Sequence, residues 1–477
     1  MRSRPLANLQ GRRVVAALGA VAWLLLFVCA AFRHAAFQST AFDLAIFDQA
    51  LWQLSRGEGA RVSLLGMNIF SDHGAFILYP LSLLYWVVAS PYALFALQAL
   101  SLALGAWPLL LLAEKRGLGK GETVAAVAIY LCNPVVFSAN LFDFHPETLG
   151  APLIPLLFLF AEERKLLRLL LVAAAIMSCK EVLSLTVAAV GVVLALRRRW
   201  APGASLALGG LAWFVLVTQV VMPGIPQGAA PNAFARYGYL GETLSDKLLA
   251  IGFKPLEVAA QVPIGSTALY IVSLVIPCFW IFRRQTAVFL LACAPTILLN
   301  SLSTLDFQRS LRFQYSLPLI PVFGVMAVEL LAKRELLPRW WSSGRAVLFS
   351  FAALVVPLVS RNIAAFGLYP VAWAPIGSVE ALSRAVALIP PEASVLASSR
   401  LLPHLAHRVN LGLIDGEPEA LGFGRYVYVV VDKRHSRDAG DLALSRSMES
   451  ALRSGGSHEV LLDLPDVALF RRVGPQP

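Results

Sequence analysis

Phe42-Asp43-Leu44-Ala45-Ile46-Phe47-Asp48-Gln49-Ala50-Leu51-Trp52-Gln53-Leu54-Ser55-Arg56-Gly57-Glu58 is the stretch on which the fold turns. It lies between two long apolar runs, yet it carries two carboxylates five residues apart. Phe47, Leu51 and Leu54 share one helical face, with Phe42 and Ile46 beside it. The pattern predicts a helix lying along a membrane surface rather than crossing it. On such a helix Asp43 and Asp48 sit about 140° apart, so only one of them faces the chemistry. Acids held at the water–lipid boundary point to a membrane-embedded active site; the alternative is a solvated polar face.

The rest of the chain supports a membrane setting. Of its 477 residues 58% are hydrophobic and 14% charged, against about 25% charged in soluble domains. The formal charge of +11 comes from Arg and Lys in short clusters between apolar runs. Clusters of that kind set topology and meet membrane lipid headgroups, and they are no nucleic-acid signal. Cys29, Cys132, Cys179, Cys278 and Cys293 include no C-x-x-C pair and read as small buried hydrophobes. Residues 1–32 read as a signal anchor, because the apolar run is long and many spans follow.

By the positive-inside rule, Arg2, Arg4, Arg12 and Arg13 place the N-terminus in the cytoplasm. The loop 33–74 is then extracytoplasmic, and residues 75–90, broken by Pro80, read as a surface or re-entrant helix. Spans follow at 92–113, 122–139 and 149–161. Residues between Arg168 and Arg197 are bounded by bases at both ends, so they go out and back on two short spans that turn at Lys180-Glu181. Further spans at 203–222, 266–282, 285–302, 314–332 and 346–362 bring the count to about 11, with the C-terminus outside. Basic clusters then fall mostly on the inner side, and mixed clusters of Asp, Glu, His and aromatics on the outer. Residues 363–477 have the composition of a small extracytoplasmic α/β domain. Its expected helices are at 378–389 and 441–454, and its four short strands at 393–398, 426–432, 459–463 and 466–471.

Several polar groups interrupt the apolar sequence. Asp72-His73 before Gly74 is either loop capping or a phosphate contact. Asp143-Phe144-His145-Pro146-Glu147 alternates three acceptor groups, as a strand-like turn presenting them together; a substrate or phosphate contact fits it better than a metal. Lys180-Glu181 lies deep in an apolar run, where charges are costly. They form either a self-neutralising pair or a phosphate-holding Lys180 with Glu181 orienting the donor. Arg309 and Arg312, spaced three apart beside Asp306 and Tyr315, would share a helical face and grip a phosphate leaving group. Arg236, Tyr237 and Tyr239 offer a similar mix. No P-loop, Gly-rich dinucleotide motif, G-x-S-x-G or H-E-x-x-H is present, which argues against ATP hydrolysis and metalloprotease chemistry.

These motifs carry a resemblance. Residues 42–52, then Asp143-Phe144-His145-Pro146, then Lys180-Glu181, look like those of an uncharacterised family of predicted bacterial membrane proteins, a domain-of-unknown-function family grouped with the GT-C glycosyltransferases. The resemblance runs through most of residues 40–330 and continues at Leu401-Leu402-Pro403-His404-Leu405-Ala406-His407-Arg408. It implies a GT-C-like α-helical polytopic fold and a catalytic acid in the first external loop, a place that Asp48 fits with Asp43 as rival. It also implies a polyprenyl-phosphate-linked sugar donor. Gln49 stands where many members carry a second acid, which leaves a divalent cation (Mg or Mn) an open matter. Val182 breaks the usual Lys-Glu-Asp, and Gln314-Tyr315 replaces His-Tyr.

The sequence therefore reads as an inner-membrane glycosyltransferase with a lipid-linked sugar donor and Asp48 or Asp43 as general base. His73, Asp143, His145, Glu147, Lys180, Glu181, Arg309 and Arg312 are the candidate substrate-binding residues. The rival is a transporter or flippase of a lipid-linked or anionic solute, using the same charges without covalent chemistry. Sugar, acceptor and oligomeric state are not legible.

Overall fold

The computed structural model describes residues 4–225, 232–337, 341–359, 376–434 and 439–473. Its main helices are α1 (Arg4–Ala35), α2 (Ile46–Ser55), α3 (Pro91–Leu104), α4 (Ala106–Lys115), α5 (Lys120–Leu131), α6 (Pro134–Leu141), α7 (Ile154–Glu162), α8 (Leu166–Cys179), α9 (Leu183–Leu196), α10 (Trp200–Leu216), α11 (Ile264–Val275), α12 (Leu290–Leu302), α13 (Leu319–Leu331), α14 (Ser343–Val359), α15 (Ile376–Ala387) and α16 (Ala439–Ser454). The chain divides into two units. The first comprises Met1–Phe27, Phe70–Ile77 and Ala96–Pro370; the second comprises Val28–Ile69, Leu78–Phe95 and Val371–Pro477. The boundary expected at 362/363 falls outside the described residues.

The first unit is helical. Among the described residues, five helical stretches are long and apolar enough to cross a bilayer: Leu9–Ala35, Pro91–Lys115, Trp200–Gly224, Ile264–Ile281 and Gln314–Leu331. The pair α5–α6, bent by 41°, makes a sixth if taken as one span. The bend has a local cause: Pro134 lacks an N–H, and the Asn133 side chain accepts from the Val135 amide at 3.0 Å instead. The hydropathy-based count of about 11 includes shorter pieces. Helices α8 and α9 have 14 residues each, a rise of roughly 21 Å against ~30 Å of hydrocarbon. They flank Lys180-Glu181, where two short spans were expected. Helix α10 lies against α9 backbone to backbone, since a Cβ at Gly191 would meet the Gly203 carbonyl at 2.6 Å.

Two helix ends in this unit are built alike. After α7 the amides of Arg164 and Lys165 bond back to the carbonyls of Ala161 (3.4 Å) and Phe160 (3.0 Å). After α9 those of Arg198 and Arg199 bond to Ala195 and Leu194, both at 2.8 Å. Both are Schellman turns, and both hold arginine at the left-handed position that glycine usually takes, with φ 55° at Arg164 and 62° at Arg198. Nearby carboxylates are already engaged. Arg116 bonds to Glu162 (2.8 Å from Nη1) and to Glu329 (3.1 Å from Nε), and Arg197 reaches Glu329 at 3.0 Å.

The second unit is α/β. A small antiparallel hairpin pairs β1 (Arg61–Val62) with β2 (Met67–Asn68). The main sheet comprises β3 (Val395–Ala397), β4 (Leu411–Leu413), β5 (Tyr428–Asp432), β6 (His458–Asp463) and β7 (Val467–Arg472), in the order β4-β3-β5-β7-β6. Strands β3, β4 and β5 are parallel; β7 runs antiparallel to β5 and β6. Strand β4 was missed in the sequence because it has three residues, one of them Gly412. Alternation sorts the core. Leu396, Val429, Val431 and Phe470 pack with Met448 and Leu452 of α16. Val395, Ala397 and Val430 pack with Leu382 and Ala385 of α15, and with Phe37, Ala41 and Ala45 from the first loop. The first loop is thus part of this sheet's core. The 75–90 segment resolves into two short turns of helix, Leu78–Ser82 and Leu83–Trp86, with Leu83, Trp86 and Val87 exposed.

Candidate active site

Helix α2 starts later than its periodicity predicts. Asp43 has φ 78° and ψ −72°, the strained positive-φ γ-turn region, and Phe42 is extended. Regular helix begins at Ile46, so Asp43 lies upstream of it, and the angle of about 140° between the two acids does not apply. Nor does α2 lie on a surface with one face dry. Ile46, Phe47, Asp48, Gln49, Ala50, Leu51 and Gln53 are all buried, whereas Phe42 is 40% exposed. The reason is that residues of the C-terminal part cover the side left polar by the sequence.

Asp48 occupies the first turn of α2, where peptide dipoles favour a negative charge. It is 1% exposed. Its Oδ1 accepts the Tyr85 hydroxyl and lies 3.1 Å from His407 Nε2. Burial, then the Asp48 charge, push the Tyr85 phenol well above its ordinary range, so the phenol is a standing proton donor to the carboxylate. Tyr85 is aimed by its own turn, because Trp86 Nε1 donates to the Ser55 carbonyl at the end of α2 at 2.7 Å. Trp52, one turn beyond Asp48, lies parallel to the His407 ring with centroids 6.0 Å apart, and Tyr85 meets that ring edge-on at 5.9 Å. His407 is therefore held on three sides, while its side chain keeps 30% of its surface exposed.

The neighbouring residue fixes this arrangement. Gln49 Nε2 donates to Ser63 Oγ (2.8 Å) and to the Arg408 carbonyl (2.7 Å), and its Oε1 accepts the Ser63 amide (2.9 Å). Arg408 in turn bonds to the carbonyls of Leu405, Ile389 and Pro390. An amide that both donates and accepts explains why position 49 is glutamine here; a second acid could not make the bond to the carbonyl. The donor set at Asp48 is consequently one carboxylate and one imidazole. Among the described residues no three His, Cys, Asp or Glu side chains are grouped to hold one ion. These donors do not fit a divalent cation, which takes several oxygen ligands.

The other candidate residues belong to the first unit. Lys180, extended at the end of α8, pairs with Glu147 (Nζ–Oε1 2.7 Å) rather than with Glu181. Burial acts to raise the Glu147 carboxyl, but Lys180 and then His145 outweigh it and hold the group below its ordinary range. Glu181 Oε2 accepts the Gly74 amide at 2.9 Å. Asp143 and His145 are buried, but not on a strand-like turn. Asp143 has φ 56°, and Gln98 gathers the loop by bonding to the Asp143 carbonyl (2.8 Å) and the His145 amide (3.0 Å). His73 lies 3.4 Å from Asp72. Arg309 is buried with Asp306 as partner (2.5 Å), and it caps the end of α12 through the carbonyls of Ser303 (2.5 Å) and Asn300 (3.3 Å). Arg312 is exposed and lies beyond the short helix that carries Arg309, so the two do not share a helical face.

Tyr85 and His407, which meet Asp48 here, are absent from the candidate residues read from the sequence, although His407 stands within the Leu401–Arg408 motif. Fold and site together define a largely helical protein with five or six membrane-length apolar helices among the described residues and a buried aspartate in the segment that follows the first of them. The chain belongs to DUF2079, a family described as predicted membrane proteins, whose profile matches residues 33–456. No curated protein matches it. Among solved structures, ArnT from Cupriavidus metallidurans bound to undecaprenyl phosphate superposes with a TM-score of 0.57 at 15% identity, over 97% of this chain and 99% of that one. The apo state of ArnT gives 0.56 at 13%, over 96% and 100%. The arabinofuranosyltransferase AftD from Mycobacteria gives 0.46 at 17%, over 96% of this chain and 41% of that one. The ArnT likeness is one of fold.

Proposed function

We propose that this protein is a membrane glycosyltransferase that moves a sugar from a polyprenyl-phosphate-linked donor to an acceptor hydroxyl at the extracytoplasmic face. It would sit in the bacterial inner membrane with about 11 spans, the N-terminus cytoplasmic and the C-terminal domain outside. Asp48 is the general base. Its Oδ1 is taken by Tyr85 and His407, which leaves Oδ2 to accept the acceptor's proton as the oxygen attacks the anomeric carbon. The bond from that carbon to the donor phosphate breaks, the lipid phosphate leaves with the electron pair, and the configuration inverts. Tyr85 and His407 act as positioning residues that hold the carboxylate in one rotamer. Lys180, a buried ammonium, is the group we assign to an anionic ligand.

The observation that carries this reading is a buried carboxylate with one oxygen anchored by two side chains. The fold shared with ArnT, crystallised with undecaprenyl phosphate, supports a lipid-linked donor. The test is radiolabel transfer from polyprenyl-phosphate sugars by the reconstituted protein, beside Asp48→Asn and Asp43→Asn. Asp48→Asn should lose about 10²–10⁴-fold in transfer, with donor binding retained, while Asp43→Asn keeps activity. Full activity in Asp48→Asn would overturn the base assignment. Movement of a lipid-linked solute without any covalent product would establish the transporter instead.

A further inference from the structure

The two Schellman turns described above face one cleft. It has a volume of about 330 Å³ and is lined by Arg164, Arg198 and Arg199 together with Leu166, Trp200 and Pro202. The sequence repeats here in pattern: Glu163-Arg164-Lys165-Leu166 ends one helix and begins the next, and Arg197-Arg198-Arg199-Trp200 does the same. Each turn lifts an arginine off the end of its helix into the left-handed position, so two guanidinium-bearing residues converge from separate helix pairs.

The charge here is uncompensated. Glu162 and Glu329 are engaged by Arg116 and Arg197, and Glu163 pairs with Lys165 at 2.6 Å. None of the three cleft arginines makes an ion pair among the described residues. Beside them the surface is apolar and open, with Trp200 68%, Leu167 72% and Leu171 62% exposed. Guanidinium groups bind phosphate oxygens in a matched fork geometry. A tryptophan at the edge of an apolar helix surface marks the headgroup level of a bilayer.

We infer that this cleft binds the phosphate headgroup of an anionic phospholipid, its acyl chains lying along the exposed leucines of α8. Three cations without carboxylate partners select for negative charge, and the apolar flank selects for a lipid over a free anion. The site lies wholly within the first unit and does not depend on the reaction proposed above.

The test uses the full-length protein in detergent, titrated with phosphatidylglycerol or phosphatidylcholine and followed by native mass spectrometry and by thermal unfolding. The proposal expects phosphatidylglycerol to be retained and to raise Tm, with phosphatidylcholine weaker by about tenfold or more. The variant Arg164→Gln/Arg198→Gln/Arg199→Gln should lose that preference. Arg283→Gln/Arg284→Gln, which removes bases elsewhere in the unit, should keep it, and matched circular dichroism would show that both variants fold. Equal retention of the two lipids, or a triple variant that binds phosphatidylglycerol like wild type, would overturn the proposal. So would complete displacement of the lipid by millimolar inorganic phosphate, which would make the cleft a free-phosphate site.

Discussion

Gln49 donates to the main-chain carbonyl of Arg408 across 2.7 Å, one residue beyond the histidine that meets Asp48. A side chain 359 positions away in the sequence thereby sets the register of the His407 loop on α2. The same amide accepts from Ser63, so position 49 needs a donor and an acceptor at once. Gln49→Glu sets a carboxylate oxygen against a carbonyl. It should lower stability by about 1–3 kcal/mol, read as a drop in Tm, and should reduce transfer even though Asp48 is intact.

Tyr85 donates to Asp48 with a hydroxyl whose proton is held tightly. Tyr85→Phe removes one anchor of the carboxylate and leaves the ring in place. Turnover should fall by about tenfold, the scale of one lost hydrogen bond to a charged group, with donor affinity unchanged. A fall in donor affinity at constant turnover would assign Tyr85 to binding instead.

His404 is stacked between His34, with centroids 4.1 Å apart, and Phe37 at 3.9 Å. Burial, then the charge of His34, holds its imidazole well below the ordinary 6.5. The unfolded chain therefore binds this proton more readily than the folded one. Stability should be full above about pH 6.5 and should fall by up to about 1.4 kcal/mol for each pH unit below it, until the lower folded value is reached. Chemical denaturation at pH 7.5 and 5.5 checks this, and His404→Phe should reduce the difference.

Lys180 and Glu147 are 13% and 6% exposed at the side chain and lie 2.7 Å apart. Lys180→Met strands a buried carboxylate and should cost about 3–5 kcal/mol. Lys180→Met/Glu147→Leu should recover most of that loss. Thermal unfolding of the two single variants and the double completes the cycle, and additive losses would deny the pairing.

Gly74→Ala would bring a methyl to 2.7 Å from Val217 Cγ1 and 3.2 Å from Glu181 Cβ. It should destabilise by about 1–3 kcal/mol, whereas Gly209→Ala, with nothing within 4 Å, should not. Equal Tm values for the two variants would contradict the tight packing at Gly74.

The membrane class was legible in the sequence because long apolar runs are a local signal, and Asp48 was legible as a candidate because an acid stands where lipid-grade sequence pauses. The surroundings of Asp48 were not. Tyr85 stands in an apolar stretch that reads as packing, and His407 lies in a region whose composition is that of a separate soluble domain. Only tertiary contact joins them to α2. The helical placement of Asp43 failed for a different reason. Its spacing continues a helical period, but periodicity carries no sign of a positive φ, and the γ-turn there ends the pattern three residues early. Lys180 and Glu181, adjacent in sequence, looked like natural partners; the extended backbone at Lys180 sends the lysine to Glu147 instead.

The second unit is assembled from Val28–Ile69, Leu78–Phe95 and everything after Val371. A ribosome adds about 5–20 residues per second. Asp48 and Tyr85 are therefore made roughly 15–60 s before His407 and the sheet of this unit exist. For that interval Phe37, Ala41 and Ala45, which pack into the core of that sheet in the finished protein, lack this cover. Truncation between α14 and the His407 loop would leave the same surface open permanently.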